Sequence, residues 1–403
     1  MNSPPAMTET GRRRRILYVD HFPDIGGGQV SLLTRLDHLD TTTWHPIVAV
    51  PTLEGNLHDE LASRNAEVVE IPFNLGNIRT KNEKRITRSP LAIAANATTT
   101  LRATQSLYRL IKRVDIDIVH TNSFKSAVLV TLPAYLTGTP LLFHARSSRA
   151  YSDHGVLDRY VCGNATRIVA NSEFTASTYE PWQQKTTVVY NGVDTNQFDP
   201  DDADIDDVLA THSLSSDQPV IGMVGRLTPR KRQIDLVRAL PEIQQSFPDV
   251  HVLFVGGSYE GLGSEYERRV KATIRDLNVE DAITLTGYVD TVEDYLATCD
   301  VTVLPSLKEP FGRVVVESLL METPVVGTAD GGIPEIVTHG ETGYLVPPEE
   351  PRTIADAVTR LLEHPSRAAE FGQQGRKEAL ERFDATTITE QEQALYRDIL
   401  DPS

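Results

Sequence analysis

Residues 304–317 read Leu-Pro-Ser-Leu-Lys-Glu-Pro-Phe-Gly-Arg-Val-Val-Val-Glu, an order that predicts the end of a buried strand, a loop and the start of a helix. Pro and Gly interrupt the loop, and the apolar positions after Gly312 follow a helical period. The first backbone N–H groups of such a helix have no partner inside it and can bind an anion. The stretch therefore predicts an anion site at the carboxyl end of a strand, where ligands bind in open α/β sheets.

Two glutamates flank the start of this predicted helix. Glu309 lies just before it, where a carboxylate can accept hydrogen bonds from sugar hydroxyls. Glu317 lies one turn inside it, on the same face as Arg313 and Val314, and a carboxylate there suits the two hydroxyls of a ribose. Acids are also common as plain surface charges at helix starts, and for these two residues alone that alternative stays open.

A basic loop lies upstream, directly after an apolar run that ends at Gly225. Arg226 emerges at the predicted strand end, and Lys231 lies near the start of the next helix. Two neighbouring cations can hold a diphosphate and neutralise it as it leaves. The alternative is a solvated basic loop, which the acidic character of this half of the chain disfavours.

Short apolar runs alternate with helical patterns along the whole chain, which favours an α/β fold with parallel sheets covered on both faces. An acidic, Pro-containing stretch separates two groups of strands, so we expect two parallel-sheet domains with a cleft between them. The predicted strands lie at 16–20, 46–50, 68–73, 116–122, 140–145, 168–171 and 187–190, and then at 220–225, 251–256, 282–287, 301–305, 324–328 and 343–346.

The domain boundaries follow from the same pattern. We predict a disordered tail at 1–15, an N-terminal domain at 16–198, an acidic linker at 199–218 and a C-terminal domain at 219–382. A last helix at 383–403 could pack back on the N-terminal domain. A length of 403 residues agrees with two or three domains.

The composition disfavours a nucleic-acid-binding protein. Hydrophobic residues make up 40% of the chain, and the net charge of −17 divides into +2 for residues 1–200 and −19 for the remainder. A general nucleic-acid binder needs a broad positive surface, so that class is disfavoured. With 30 Arg against 9 Lys, the acidic, Lys-poor composition also favours a salt-adapted, halophilic source.

The sequence also predicts where the protein is located and the redox state of its cysteines. The sequence has no apolar run of the length that a membrane span needs, and Arg12 to Arg15 are followed only by the apolar residues of the first strand. We therefore expect a cytoplasmic protein. Cys162 and Cys299 lie far apart and read as two free buried thiols.

Together these segments resemble the retaining glycosyltransferases of family 4, which have two Rossmann-like domains facing across a cleft (the GT-B fold). The resemblance covers essentially the whole second half of the chain. The segments that carry it are Gly-Arg-Leu with Lys231, Glu309-Pro-Phe-Gly with Glu317, Gly331-Gly-Ile-Pro-Glu, Gly340-Glu-Thr-Gly-Tyr-Leu-Val and Asn191-Gly-Val-Asp.

The resemblance implies roles at the matching positions. Arg226 and Lys231 would bind the diphosphate of a nucleotide-sugar donor, and Glu317 its ribose. Glu309 and the backbone of Phe311 and Gly312 would hold the donor sugar, beside Arg313 and Val314. The base would lie against Gly287, Tyr288 and Val289. The family generally works without a metal, and the sequence shows no cluster with metal-ligand spacing, so we expect no cofactor.

The first half contributes the second wall of the expected site. Gly27 and Gly28 lie in a Gly-rich loop that in the family runs beside the donor, and Gln29 stands where many members have Glu. His144 ends a predicted strand and matches the family's active-site histidine, whose role is contact with the transferred sugar. His120 ends another strand, and both could equally be structural. Arg146 and Arg149 could meet a charged acceptor or pair on the surface.

A basic stretch at 79–113 could bind an anionic membrane. Family members with lipid-linked acceptors often dock such a surface on anionic lipid, which would make the protein peripheral at the inner face of the membrane. A solvated helix face is the alternative. The basic residues are Arg79, Lys81, Lys84, Arg85, Arg88, Arg102, Arg109, Lys112 and Arg113.

The predicted activity is transfer of a sugar, with hexoses favoured, from a nucleotide-diphosphate sugar to the hydroxyl of a glycan, lipid-linked or small-molecule acceptor. Two alternatives stay open. A sugar-nucleotide epimerase of the same fold would need no acceptor, and a non-catalytic sugar-nucleotide-binding protein would bind without turnover. The donor base, the sugar and the acceptor depend on pocket details that the sequence does not reveal.

Overall fold

A computed structural model describes residues 12–64, 66–72, 90–149, 155–257 and 264–402, with side chains of the helix that begins at Pro90 described from residue 98. The chain divides into two units. The first comprises residues 1–192 and 385–403, and the second comprises 193–384. The chain therefore leaves the first unit once and returns to it for its last helix.

The first unit contains a seven-stranded sheet and the helices that connect its strands. Its strands are β1 (Arg14–Val19), β2 (Trp44–Val50), β3 (Glu67–Glu70), β4 (Ile118–Thr121), β5 (Leu141–Ala145), β6 (Arg167–Ala170) and β7 (Thr186–Val188). Its helices are α1 (Gly27–Asp37), α2 (Asn56–Ala62), α3 (Pro90–Val114), α4 (Phe124–Thr137), α5 (Val156–Asn164), α6 (Glu173–Ser177) and, from the end of the chain, α14 (Ala385–Leu400).

The second unit contains a six-stranded sheet. Its strands are β8 (Val220–Val224), β9 (His251–Val255), β10 (Ile283–Gly287), β11 (Val301–Leu304), β12 (Val325–Thr328) and β13 (Gly343–Val346). Its helices are α7 (Ile205–His212), α8 (Gln233–Ser246), α9 (Ser264–Asp276), α10 (Val292–Thr298), α11 (Arg313–Leu320), α12 (Pro351–Glu363) and α13 (Pro365–Phe383). Each predicted strand coincides with one of β1–β13 to within a few residues.

Both sheets are parallel and both reverse their strand order once. The first sheet has the order β3-β2-β1-β4-β5-β6-β7, and the second has the order β10-β9-β8-β11-β12-β13. The chain moves outward in one direction after β1 or β8, and in the other direction after β4 or β11. The loops that follow each such pair diverge, which opens a crevice at the carboxyl edge of the sheet. The predicted α/β fold class is confirmed.

The cores explain why these elements form. In the first unit Tyr18, Trp44 and Phe143 are buried between the sheet and its helices, and in the second unit Phe254 and Phe371 are buried in the same way. The central strands are buried on both faces, so their sequences are largely continuous apolar runs, whereas the edge strands β3, β7 and β10 are partly exposed. Burial of each large aliphatic or Phe side chain stabilises the fold by about 1.5–3 kcal/mol.

Two predicted boundaries differ from the structure. The tail predicted at 1–15 overlaps the first sheet, because β1 begins at Arg14 and the Arg12 guanidinium forms ion pairs with Asp115 and Asp117 at 2.9 and 2.8 Å. Residues 1–11 lie outside the described residues. The stretch at 199–218 lies within the second unit and contains α7. Asp204 caps that helix, and its buried Val208 supplies an apolar contact that the acidic composition had obscured.

Candidate functional site

Three glycines bring the loops after β8, β9 and β10 side by side at the carboxyl edge of the second sheet. Gly225 N–H donates to the Val255 carbonyl at 2.8 Å, and Gly256 N–H donates to the Gly287 carbonyl at 2.8 Å. A Cβ at residue 256 would lie 2.6 Å from the Gly225 carbonyl oxygen, and the φ of +122° there also favours glycine. Only glycine at residue 256 therefore allows this close backbone packing.

Residues predicted to bind a donor follow two of these glycines directly. Arg226 is exposed after Gly225, and its carbonyl accepts a hydrogen bond at 3.0 Å from the side chain of Gln233 in the first turn of α8. Tyr288 follows Gly287 and is 77% exposed, whereas Val289 is half-buried. The edge thus presents one cation and one aromatic ring on a backbone fixed by hydrogen bonds.

Lys231 and Glu309 meet across the crevice between β8 and β11. The Lys231 Nζ lies 3.0 Å from Glu309 Oε2, and the Arg230 guanidinium lies 3.3 Å from the same oxygen. Leu307 N–H also donates to the Arg230 carbonyl at 2.9 Å, which joins the two loops through their backbones. Two cations therefore share one carboxylate at the point where the strand order reverses.

Burial and charge set the protonation of this cluster. Burial alone would raise the pKa of Glu309, but the charges of Lys231 and Arg230 hold it at about 2. Burial lowers the pKa of Lys231, and the charge of Arg226 adds to that effect while Glu309 opposes it. Arg226 is thus close enough to Lys231 to act on it electrostatically. At neutral pH the carboxylate is ionised and can accept hydrogen bonds.

The backbone around Glu309 is fixed by the Gly-rich loop after β12. Gly332 N–H donates to the Glu309 carbonyl at 2.7 Å, and Lys308 N–H donates to Asp330 Oδ2 at 2.8 Å. A Cβ at residue 331 would lie 2.4 Å from the Glu309 carbonyl oxygen and 2.5 Å from its nitrogen. Gly331 and Gly332 therefore pack directly against the backbone of Glu309 and fix its position.

Helix α11 starts beside Glu309. Gly312 precedes it with a φ of +101°, and Phe311 is buried against Phe383 with ring centroids 5.6 Å apart. One turn in, Arg313 Nε donates to Glu317 Oε1 at 2.5 Å, as the four-residue spacing predicts. Glu317 is 7% exposed, and Val314 is half-buried on the same turn. The first turn of α11 thus begins next to a carboxylate that pairs with two cations.

In the first unit, the Gly-rich loop is attached to the end of β4. Asn122 Nδ2 donates to the Gly28 carbonyl at 3.0 Å and to Asp20 Oδ2 at 2.5 Å. The Gln29 amide donates to both oxygens of the fully buried Asp20, at 2.9 and 3.0 Å. Gln29 therefore serves as a support for the loop that carries Gly27 and Gly28. The sequence signals for Asp20 and Asn122 were their positions after β1 and β4.

Arg146 joins this group, whereas Arg149 does not. The Arg146 guanidinium donates to Asn122 Oδ1 and Asn191 Oδ1, each at 2.9 Å, and its Cδ would lie 3.8 Å from a Cβ at residue 28. The Arg149 guanidinium instead pairs with buried Asp158 at 3.3 Å and stacks over Trp182. Of the two arginines predicted on the acceptor side, one thus lies beside the glycine loop.

His120 and His144 lie inside the first unit rather than at its surface. Both are 0% exposed, and His120 Nε2 lies 3.1 Å from His144 Nδ1. His120 Nδ1 lies 2.7 Å from the hydroxyl of Tyr396 in α14. Burial holds the pKa of each imidazole well below its usual value, so both rings are neutral. The expectation that His144 touches a sugar stays a prediction; among the described residues its Nε2 has no hydrogen-bond partner.

A buried ion pair lies beside these histidines. Arg35 in α1 donates to both carboxylate oxygens of Glu392 in α14, and its guanidinium lies 3.4 Å from His144 Nδ1. Donor atoms of His120, His144 and Glu392 lie within 4.8 Å of one another, which is metal-like spacing. Because Arg35 already neutralises Glu392, the arrangement is better described as a hydrogen-bonded network that attaches α14 to the sheet.

The basic stretch at 79–113 is described only in part. Arg79, Lys81, Lys84, Arg85 and Arg88 lie outside the described residues. The remaining four, Arg102, Arg109, Lys112 and Arg113, are exposed on α3. In the described ranges, helices of a length and apolarity that could cross a bilayer do not occur.

Two family models match the chain. The model described as Glycosyltransferase Family 4 matches residues 25–197, and the model described as Glycosyl transferases group 1 matches residues 204–378. The first match lies in the first unit except for its last residues, 193–197, and the second lies entirely in the second unit. Together they include the Gly-rich loop, Arg146, Lys231, Glu309 and Glu317.

Curated relatives agree with these matches. The N-acetyl-alpha-D-glucosaminyl L-malate synthase of Bacillus anthracis is 29% identical over 212 residues, which are 53% of this chain and 53% of that protein. The alpha-maltose-1-phosphate synthase of Mycolicibacterium smegmatis is 32% identical over 225 residues, 53% of this chain and 56% of that protein. The chain thus spans just over half the length of these curated relatives.

Solved structures share the fold over nearly the whole chain. Anabaena Alr3699/HepE, solved with UDP and glucose, has a TM-score of 0.80 at 24% identity and covers 95% of this chain and 99% of its own. The sucrose-phosphate synthase of Thermosynechococcus elongatus has a TM-score of 0.77 at 22% identity, covering 97% of this chain and 100% of its own. At these identities the likeness concerns the fold.

Proposed function

The chain belongs to glycosyltransferase family 4, and we propose that it transfers a sugar from a nucleotide-diphosphate donor to an acceptor hydroxyl. The observation that carries the proposal is the contact of Lys231 with Glu309 at the strand-order reversal of the second sheet, 3.0 Å from Nζ to Oε2. A cation for the diphosphate and a carboxylate for the sugar lie next to each other there. UDP is bound by Anabaena Alr3699/HepE, which supports a nucleoside diphosphate as the leaving group.

Electrostatics supply most of the proposed catalysis. Negative charge grows on the diphosphate as the glycosidic bond breaks, and Arg226, Lys231 and the first turn of α11 lie where they can stabilise it. Glu309 is ionised, so it accepts hydrogen bonds from sugar hydroxyls. Glu317, held by Arg313, binds the ribose, and Tyr288 with its neighbours Gly287 and Val289 lies against the base.

The family resemblance implies the stereochemical course. The anomeric configuration is retained, because the acceptor attacks the face from which the diphosphate departs. The leaving phosphate oxygen takes the acceptor's proton, and this step needs no side-chain base. The site as proposed works without a metal, since Arg226 and Lys231 supply the positive charge that a metal would otherwise provide.

Residues of the first unit take supporting roles in this proposal. Gly27 and Gly28 bring backbone N–H groups to the ligand, and Arg146, fixed by Asn122 and Asn191, offers a cation to an anionic acceptor. The buried pair His120 and His144 supports the ends of β4 and β5 on which Asn122 and Arg146 stand. Direct contact of His144 with the transferred sugar stays a prediction that the family resemblance implies.

The test is product formation by the purified protein. A panel of nucleotide sugars is incubated with glycan, lipid-linked and small-molecule acceptors, and nucleoside diphosphate release is measured together with the mass of the acceptor. Coupled appearance of diphosphate and glycosylated acceptor supports the proposal. An epimerised nucleotide sugar without diphosphate release supports the epimerase instead, and binding without turnover across the panel supports a non-catalytic protein.

Contact with an anionic membrane is a further part of the proposed function. Leu101, Leu132, Tyr135 and Leu136 are 69%, 43%, 68% and 58% exposed on α3 and α4. Leu101 and Leu136 border a cavity of about 300 Å³ that shares Tyr108 with a second cavity of about 630 Å³. Arg109, Lys112 and Arg113 line the second cavity. Exposed apolar side chains beside basic ones suit a bilayer with anionic headgroups.

A further inference from the structure

Arg230 is a cation of the β8–α8 loop that takes no part in the proposed transfer mechanism. Its side chain is 23% exposed, and its Nη1 lies 3.3 Å from the same Glu309 oxygen that Lys231 contacts. Among the residues that the structure describes, this buried Nη1 has no hydrogen bond of normal geometry. Arg230 therefore points its charge at Glu309 without being fixed by another acceptor at that nitrogen.

The neighbouring Arg232 shows what a purely structural arginine looks like in this loop. Its guanidinium donates to both oxygens of Asp235, at 2.7 and 2.8 Å, and pairs with Glu349 at 3.0 Å. It makes these contacts at the start of α8, with a φ of +61°. Three consecutive cations thus divide into one that fastens the helix and two that face Glu309.

Sharing one carboxylate between two cations changes what happens when a diphosphate binds. The other charged groups around Glu309 are Arg226, which acts on Lys231, and Lys308 and Asp330, which are linked through the Lys308 N–H. A diphosphate carries more negative charge than one carboxylate and competes for Lys231. Without a second cation, Glu309 would then be a buried carboxylate that has lost its partner, which is costly.

We infer that Arg230 is a positioning residue that keeps the Glu309 carboxylate anchored when the donor diphosphate engages Lys231. The inference rests on the proposed function and adds a residue to it. Arg230 holds Oε2, which leaves Oε1 to accept from the hydroxyls of the transferred sugar. The carbonyl of Arg230, which accepts from Leu307 N–H at 2.9 Å, fixes the spacing of the two loops independently of the side chain. The side chain can therefore be changed while this backbone link is kept.

The experiment compares Arg230→Gln, Arg230→Lys and the matched control Arg232→Gln in steady-state transfer with the donor found by the product screen. We expect Arg230→Gln to lower kcat by about ten- to a hundredfold, the cost of a misplaced catalytic group, while KM for the donor changes by less than about threefold. Arg230→Lys should recover most of kcat, and Arg232→Gln should keep it. In a Glu309→Gln background, Arg230→Gln should have no further effect on kcat.

A second measurement tests the interaction between Arg230 and Glu309 independently of turnover. Thermal unfolding of Arg230→Gln, Glu309→Gln and the double variant should be non-additive, whereas the same cycle with Arg232→Gln should be additive. A raised donor KM at unchanged kcat, or additivity of Arg230→Gln with Glu309→Gln, would overturn the inference. A wild-type protein inactive with every nucleotide sugar counts against the proposed function. An active wild type with Arg230→Gln unaffected counts against Arg230 alone.

Discussion

Lys231 and Glu309 form an ion pair of 3.0 Å between Nζ and Oε2, although one follows β8 and the other follows β11. The strand order reverses between these two strands, so the pair spans the crevice where α/β sheets bind ligands. Its two charges are complementary to the two halves of a sugar diphosphate, which is why the pair is the centre of the proposed site.

Removal of either partner should strongly reduce the rate of transfer while the fold is kept. We expect Lys231→Ala to lower kcat by about 10²–10³-fold, because a group that stabilises developing charge is lost, and Glu309→Gln to lower it similarly. Steady-state kinetics together with a melting curve measure this. Lys271→Ala, on the exposed face of α9 and paired only locally with Glu267, is the matched control and should retain activity. Wild-type rates in both site variants would end the proposal.

Gly331, which packs against the backbone of Glu309, should not tolerate a side chain. In Gly331→Ala the new Cβ would lie 2.4 Å from the Glu309 carbonyl oxygen, and the φ of +70° adds strain. We expect a loss of about 1–3 kcal/mol in the free energy of unfolding, together with loss of transfer. Urea unfolding measures the first. Gly163→Ala, in α5 with open space around its Cβ, should be neutral or slightly stabilising. Equal effects of the two substitutions would contradict the geometry.

The buried histidines should make the first unit sensitive to acid. Burial and the charges of Arg35 and Arg146 lower the pKa of His144 in the folded state, so below about pH 6.5 the unfolded chain binds protons that the folded chain does not. Stability is therefore full above that pH and falls as the pH decreases, by roughly 1.4 kcal/mol per pH unit for each such histidine.

The check is the melting temperature at pH 7.5 and pH 5.5. His144→Asn should narrow the difference between the two, because one group that must stay neutral has been removed from among Arg35, Glu392, His120 and Tyr396. His364→Asn, at an exposed position between α12 and α13, is the control and should leave the difference unchanged. A narrowing in both variants, or in neither, would show that His144 is not the source.

Membrane contact is tested by pelleting with vesicles. Replacement of Arg102, Arg109, Lys112 and Arg113 by Gln should release the protein from vesicles rich in anionic lipid, at about 1 kcal/mol for each cation, and salt should weaken the binding of the wild type. The control replaces four exposed cations of α9, namely Arg268, Arg269, Lys271 and Arg275. Equal loss of binding in the two variants would indicate general attraction rather than a docking face.

The acidic composition carries its own prediction. Self-repulsion of a net charge of −17 should be screened by salt, so the melting temperature and the transfer rate should rise between low and molar KCl. An unchanged melting temperature over that range would remove the hypothesis of salt adaptation.

The strands and the Lys231–Glu309 pair were predictable for a local reason. Buried parallel strands are continuous apolar runs, and functional side chains follow the ends of such strands, so both signals lie within a few residues of each other. Arg226, Lys231, Glu309 and Glu317 were predicted as site residues in this way. The same rule marked the Gly-rich loop, although not its support by Asp20 and Asn122.

The remaining differences come from contacts that are distant along the chain. His144 ends β5 as predicted, but its contacts with Arg35 and Glu392 could not be predicted, because Glu392 belongs to a helix at the far end of the sequence. Arg230 reads as one of three cations in a run, and only its distance to Glu309 separates it from Arg232. Side-chain partners of this kind are set by tertiary packing, which residue spacing does not encode.

The central claim is that Arg226, Lys231 and the loop of Glu309 hold a sugar diphosphate, and a crystal structure grown with UDP, or with GDP or ADP if UDP does not bind, tests it most directly. We expect diphosphate oxygens at about 2.7–3.2 Å from the Arg226 guanidinium and from Lys231 Nζ, with the terminal phosphate facing the first turn of α11. A diphosphate bound elsewhere, with Lys231 still paired to Glu309, would contradict the account.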